Sequence, residues 1–171
     1  MAAKNLYQLC CAFMADYYFP CQWQVVYPEE EEQVVINLQL DLANPDRVRL
    51  CGPSDQRIDQ EKVTYQLKAL LTAQSFVDHA SQYLFCYHFD ERQGVPVGDL
   101  AALFKQLRHL VTSLHAAWRC FIEDSQARQF GVEWSWQDFD QQVETLKDQG
   151  RYSRERVHLA SANYRKLRKK R

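Results

Sequence analysis

A chain of 171 residues with 46% hydrophobic and 13% aromatic residues, and only five Gly and five Pro, suits one packed core; this excludes a low-complexity or disordered protein and a second full domain. The net charge of −1 hides a separation, because residues 151–171 hold nine Lys and Arg against one acidic residue, leaving twelve basic against twenty-one acidic residues in 1–150. The opening MAAKNLYQLCCAFMADYYFP is broken by Gln8 and Asp16 and fits neither a signal-peptide core nor a membrane span, so an intracellular, cytoplasmic location is expected.

Leu6, Leu9, Cys10, Phe13, Met14 and Tyr17 recur at helical spacing, with Asn5 as N-cap and Pro20 as the stop, which predicts an amphipathic first helix. Trp23, Val25 and Tyr27 then alternate with polar neighbours, and so do Val34, Ile36, Leu38, Leu40 and Leu42, predicting two half-buried strands joined by the charged turn PEEEE. Val48 and Leu50 predict a short third strand ending at CGPSD and completing an antiparallel meander. Val63, Leu67, Leu70 and Gln74 fall on one helical face, so a helix is expected from Asp59 to about Val77. QYLFCYHF is apolar on both faces and reads as an interior strand, DERQG as a turn and VPV as a brief edge strand.

Asp99 is placed to cap the longest helix, whose stripe runs through Leu100, Leu103, Leu107, Leu110, Leu114, Trp118 and Phe121, widened by Phe104, Val111 and Ile122. Ser135 and Asp138 resemble a capping box for a further helix carrying Trp136, Phe139, Val143 and Leu146 and ending at Gly150. Val157, Ala160, Tyr164 and Leu167 continue at helical spacing into the basic end. The fold class expected is α+β: a small antiparallel sheet, a three-strand meander plus one or two further strands, packed by helices. Residues 1–131 form the body and residues 132–171 a helical extension with a basic tail.

Catalytic and metal signatures are few. His79, His88, His109, His115 and His158 include no H-E-x-x-H, and the glycines form neither G-x-G-x-x-G nor a P-loop. Ser54, Ser75 and Ser81 lack a nucleophile elbow, and Asp90 and Glu91 fit a turn better than an acid/base pair. Cys10, Cys11, Cys21, Cys51, Cys86 and Cys120 contain no C-x-x-C pair and read as reduced, buried, hydrophobe-like thiols, with no metal and no cofactor implied. Trp134 and Trp136 read as core anchors before stacking platforms.

The basic end carries the functional signal. Cations at a helix C-terminus gain only ~0.3–1 kcal/mol each from the macrodipole, which does not account for RKLRKKR. Arg151, Arg154, Arg156, Arg165, Lys166, Arg168, Lys169, Lys170 and Arg171 suit phosphates, and Tyr152 and Tyr164 suit stacking on bases, the pattern of an RNA- or DNA-binding segment. KLRKKR would also serve nuclear import in a eukaryote. The element order over roughly residues 5–122 is similar to that of small dimeric secretion-chaperone folds. That resemblance implies an acidic partner-binding module without catalysis, from which the basic extension departs.

The expected function is a non-enzymatic adaptor subunit, with an acidic body that docks on protein partners, within a larger complex or as a homodimer, and a basic helix that contacts nucleic acid or another anionic surface. A chaperone-like binder with an incidental tail and an enzyme with an unrecognised site are the competing readings. A cleft with convergent His and carboxylate groups would favour the enzyme, and a broad exposed apolar face the adaptor.

Overall fold

The structure is a computed structural model describing residues 4–45, 47, 50–51, 57–58, 61–124 and 130–159. It is α+β, as expected. Helix α1 (Leu6–Asp16) leads into strands β1 (Gln22–Val26) and β2 (Gln33–Ala43), joined through a 3-10 turn at Glu29–Glu31. Strands β3 (Leu50–Cys51), β4 (Arg57–Ile58), β5 (Lys62–Thr72), β6 (Phe85–His88) and β7 (Val95–Pro96) precede helices α2 (Val97–Glu123) and α3 (Trp136–Asp148), and β8 (Arg156–Val157) follows. The main sheet has the order β1-β2-β5-β6; its first three strands are antiparallel, and β6 runs parallel to β5. Two-stranded pairs β3-β4 and β7-β8 complete the sheets.

Helix α1 starts where the sequence placed it, because Asn5 and Gln8 cap each other's backbone reciprocally. Strand β2 follows its alternation: Val34, Ile36, Leu38, Leu40 and Leu42 are all buried on the core face. The segment expected as a helix from Asp59 to Val77 is instead strand β5. Its apolar residues fit both periods, but Val63, Tyr65, Leu67, Ala69 and Leu71 lie on the core face opposite Leu42, Leu40, Leu38, Ile36 and Val34. The β-branched and aromatic run Val63-Thr64-Tyr65 favours that choice, and β2, buried along one face, needs a hydrogen-bonding neighbour on each side.

The third strand of the meander is therefore β5. The short strand at Leu50 pairs with β4 in a separate hairpin inserted between β2 and β5, and Val48 lies outside the described residues. The order on which the secretion-chaperone similarity rests also changes, since among the described residues no α-helix separates β2 from β6, only the 3-10 turn Ala80–Gln82. β6 is an edge strand rather than an interior one. Phe85 is covered on the core side by the ring of Trp134, 4.2 Å away between centroids. Leu70 and Thr72 point by register to the opposite face and are fully buried there, so that end of the face is covered, whereas Gln66 and Lys68 further along it are exposed.

Helix α2 is the spine of the core: Leu100, Leu103, Phe104, Leu107, Val111, Leu114 and Trp118 are buried, and the indole of Trp118 donates to the Ala43 carbonyl at 2.7 Å. Asp99 does not cap this helix. Pro96 occupies the N-cap and offers no side-chain bond; the amides of Val97 and Gly98 donate to the carbonyls of Glu155 and Ser153 at 2.8 and 2.9 Å. Ser135 caps α3 through the Asp138 amide, as expected, and α3 packs along α2. Val157 is in β8, paired with Val95, and not on a helix. Cys10 is buried and Cys11, Cys21 and Cys86 are partly so, but Cys120 is exposed on α2 rather than buried, since it falls opposite the stripe; all five are free thiols.

Candidate interaction surface

The helices cover one face of the main sheet, and only part of the other face is covered. Gln22–Gln39–Gln66 and Gln24–Asn37–Lys68 form two cross-strand rows on that open face, flanking Trp23–Leu38–Leu67, whose last two side chains are buried in the core. The right-handed twist of the three strands makes these rows concave, a groove of about 410 Å³. Five amide side chains line it, and Lys68 is its one cation; neither histidine nor carboxylate belongs to the lining. Lys68 makes no ion pair among the described residues, whereas Lys62 is held by Asp41 at 3.1 Å further along the same face. Such a surface offers paired donors and acceptors with little charge, which suits the backbone of another polypeptide better than phosphate or a reacting carbonyl.

The described part of the predicted nucleic-acid segment has a structural job. Residues 151–159 cross the N-termini of both α1 and α2: the Leu6 amide donates to the His158 carbonyl at 2.7 Å, alongside the two bonds to Glu155 and Ser153. Val157 and Leu159 are buried beneath this strap. Tyr152 lies with its ring where a Cβ on Gly98 would stand, 2.4 Å from that position, and Lys147 approaches the ring at 5.5 Å. Its hydroxyl donates to Asp99 Oδ1 at 2.6 Å, and the hydroxyl of Tyr87 donates to Oδ2 at 2.7 Å.

One carboxylate thus gathers two phenols. Burial, followed by the bond and charge of Asp99, pushes Tyr87 well above the usual phenol range. The same causes in the same order raise Tyr152 to about 12, against the pull of Arg156 and Arg154. Both phenols hold their protons at neutral pH, and the arrangement is a clamp.

Arg156 donates to the Gly94 carbonyl at 3.2 Å, and Arg151 and Arg154 are exposed. Tyr164, Arg165, Lys166, Arg168, Lys169, Lys170 and Arg171 lie outside the described residues. Of the predicted segment, then, Tyr152 and Arg156 are engaged with the body, and Arg151 and Arg154 face solvent beside them. His79, His88, His109 and His115 are exposed and scattered, and Asp90 accepts from the Arg92 amide within its turn. Trp134 and Trp136 pack with Phe85, Tyr87 and Phe139 in one aromatic cluster, Trp136 at its exposed rim. Among the described residues no group of three His, Cys, Asp or Glu is placed to hold a metal ion, and no helix is long and apolar enough to cross a membrane.

Sequence reasoning missed the groove. Its amides were visible as the polar positions of alternating strands, but their convergence needed β5 as the third strand.

Residues 1–158 match the family described as "Protein of unknown function (DUF3013)", so the match ends within the strap and leaves the basic cluster beyond it. The fold is similar to that of a conserved protein of unknown function from Enterococcus faecalis, with a TM-score of 0.80, 14% identity, and coverage of 94% of this chain and 98% of the other. No curated protein matches the chain.

Proposed function

The chain belongs to the DUF3013 family, proteins of unknown function, and we propose that it works as a non-enzymatic interaction subunit whose acidic body binds an extended segment of a protein partner in the open sheet groove. The observation that supports this most directly is the amide-lined, nearly uncharged concavity formed by Gln22, Gln24, Asn37, Gln39, Gln66 and Lys68. An extended chain laid there exchanges hydrogen bonds with the amides while its alternate side chains point away, which gives affinity with modest sequence demand. The basic segment beyond the strap adds a second contact, to RNA, DNA or another anionic surface, which the acidic body would not provide.

The two contacts are separable by experiment. Asn37→Arg combined with Gln66→Arg puts two bulky cations into the groove at solvent-facing positions, so the melting temperature should stay unchanged while a partner co-purified by the intact protein is lost. Retention of the same partner by the double variant would exclude the groove. For the tail, filter binding to RNA and DNA across a salt series should give a slope that falls by ~0.7–0.9 per phosphate contact when residues 165–171 are removed. Intact protein without salt-dependent binding would exclude the nucleic-acid contact.

A further inference from the structure

The two edges of the main sheet are treated differently. At β6 the strand is four residues long, and the segment that carries Trp134 and Trp136 stacks against Phe85. At β1 the strand Gln-Trp-Gln-Val-Val has no charge and no proline, two of the features by which chains protect a free edge. Among the described residues, Gln22–Val26 make no backbone bond outside the β1–β2 ladder. Trp23 is 38% exposed on this strand and Tyr18 74% exposed at the turn before it.

Helix α1 supplies a second, independent observation. It packs on β1 and on α2, with Phe13 stacked on Phe104 at 5.1 Å and Tyr7 on Tyr27, just past the end of β1, at 6.1 Å. Its sequence LYQLCCAFMAD carries no charge before Asp16, whereas the exposed side of α3 carries Asp138, Asp140, Glu144 and Lys147. Only Gln8, Ala15 and Asp16 of this helix are exposed, and its side away from Phe13 carries the half-buried Tyr7 and Cys11 with Ala15, a flank without charge beside β1.

We infer that a second copy of this chain covers this rim, with β1 pairing antiparallel to β1 of the partner copy about a two-fold axis at Gln24, making one continuous eight-stranded sheet. The strand is self-complementary in that register. Trp23 meets Val25 of the other copy twice, Gln22 meets Val26 twice, and Gln24 meets Gln24, so no like charges oppose one another although each body is acidic. An aromatic ring opposite a β-branched side chain is a favourable cross-strand pair. Five paired residues alone fall short of the roughly 1,200 Å² of a stable interface, so the dimer must also bring the two α1 flanks together on the same face. This inference does not rest on the proposed function: although Gln22 and Gln24 also line the groove, self-association is read on the chain alone, without a partner or nucleic acid.

Sedimentation velocity on the full chain over a range of concentrations tests it. The intact protein should be a dimer. Gln24→Lys and Gln24→Glu each place like charges across the axis, and each should weaken self-association at least about tenfold while the circular dichroism spectrum of the folded chain is retained, any drop in melting temperature being that expected from the lost association. An equimolar mixture of the two should restore dimers, because only a heterodimer sets Lys opposite Glu. A monomeric intact protein, an undiminished dimer in either variant, or a mixture that stays monomeric would each overturn the proposal.

Discussion

Replacing Asp99 with Ala tests the clamp at its centre. The substitution removes the acceptor of two short phenol bonds, 2.6 and 2.7 Å, made by side chains on β6 and on the strap. Hydrogen bonds to a charged acceptor contribute about 1.5–3 kcal/mol each, but this site is only partly buried and water can reach the freed hydroxyl of Tyr152, so a loss of about 2–4 kcal/mol is expected. Urea titration at pH 7 measures it; an unfolding free energy within about 0.5 kcal/mol of the original protein's would show that the bonds carry no net stability.

The same assay has a pH arm. A phenol whose folded pKa is raised stabilises the fold fully below the unfolded value near 10 and ceases to do so as pH rises toward the folded value, about 12 for Tyr152 and higher for Tyr87. Stability should therefore fall between pH 10 and 12, and fall less in the double variant Tyr87→Phe, Tyr152→Phe. Equal alkaline losses in the two proteins would refute the assignment of the raised pKa values to this cluster.

Two further outcomes follow from packing. Leu107→Ala and Leu114→Ala, each truncating a side chain about 1% exposed on α2, should cost about 2–5 kcal/mol by thermal or urea unfolding, and unchanged stability in both would remove α2 from the core. Gly98→Ala should destabilise by about 1–3 kcal/mol although Ala is the better helix former, because its Cβ would meet the ring of Tyr152 at 2.4 Å; Tyr152→Ala in the same chain should relieve that clash, which unfolding of the single and double variants reads directly.

What the sequence could show depended on how local the cause was. Asn5 with Gln8, Ser135 with Asp138 and the alternation of Val34 to Leu42 act within a few residues, and the elements they specify stand where periodicity placed them. At Val63–Leu71 two periods fit the same residues, and the pairing with β2, a tertiary fact, decided between them. Asp99 looked like a cap because it stood at the right spacing. Its true partners are Tyr87 and Tyr152, and the latter is brought back by the chain after two helices. In sequence Tyr152 stands beside the basic run, and no pattern signals that its ring fills the space above Gly98. The groove depended on the same pairing: with a helix expected in place of β5, Gln66 and Lys68 had no strand on which to join Asn37 and Gln39.

The bond from the Leu6 amide to the His158 carbonyl also bears on how the chain is made. The first helix is synthesised long before the residues that cap its opening turn, and the first turn of α2 waits for the same strap. Contacts of such long sequence separation form late, after their loop-closure entropy has been met by other packing. During that interval α1, without a charge along ten residues, is exposed in the nascent chain. Chains stalled before residue 158 should therefore be held by chaperones or degraded, and those released a few residues later should close into the native body.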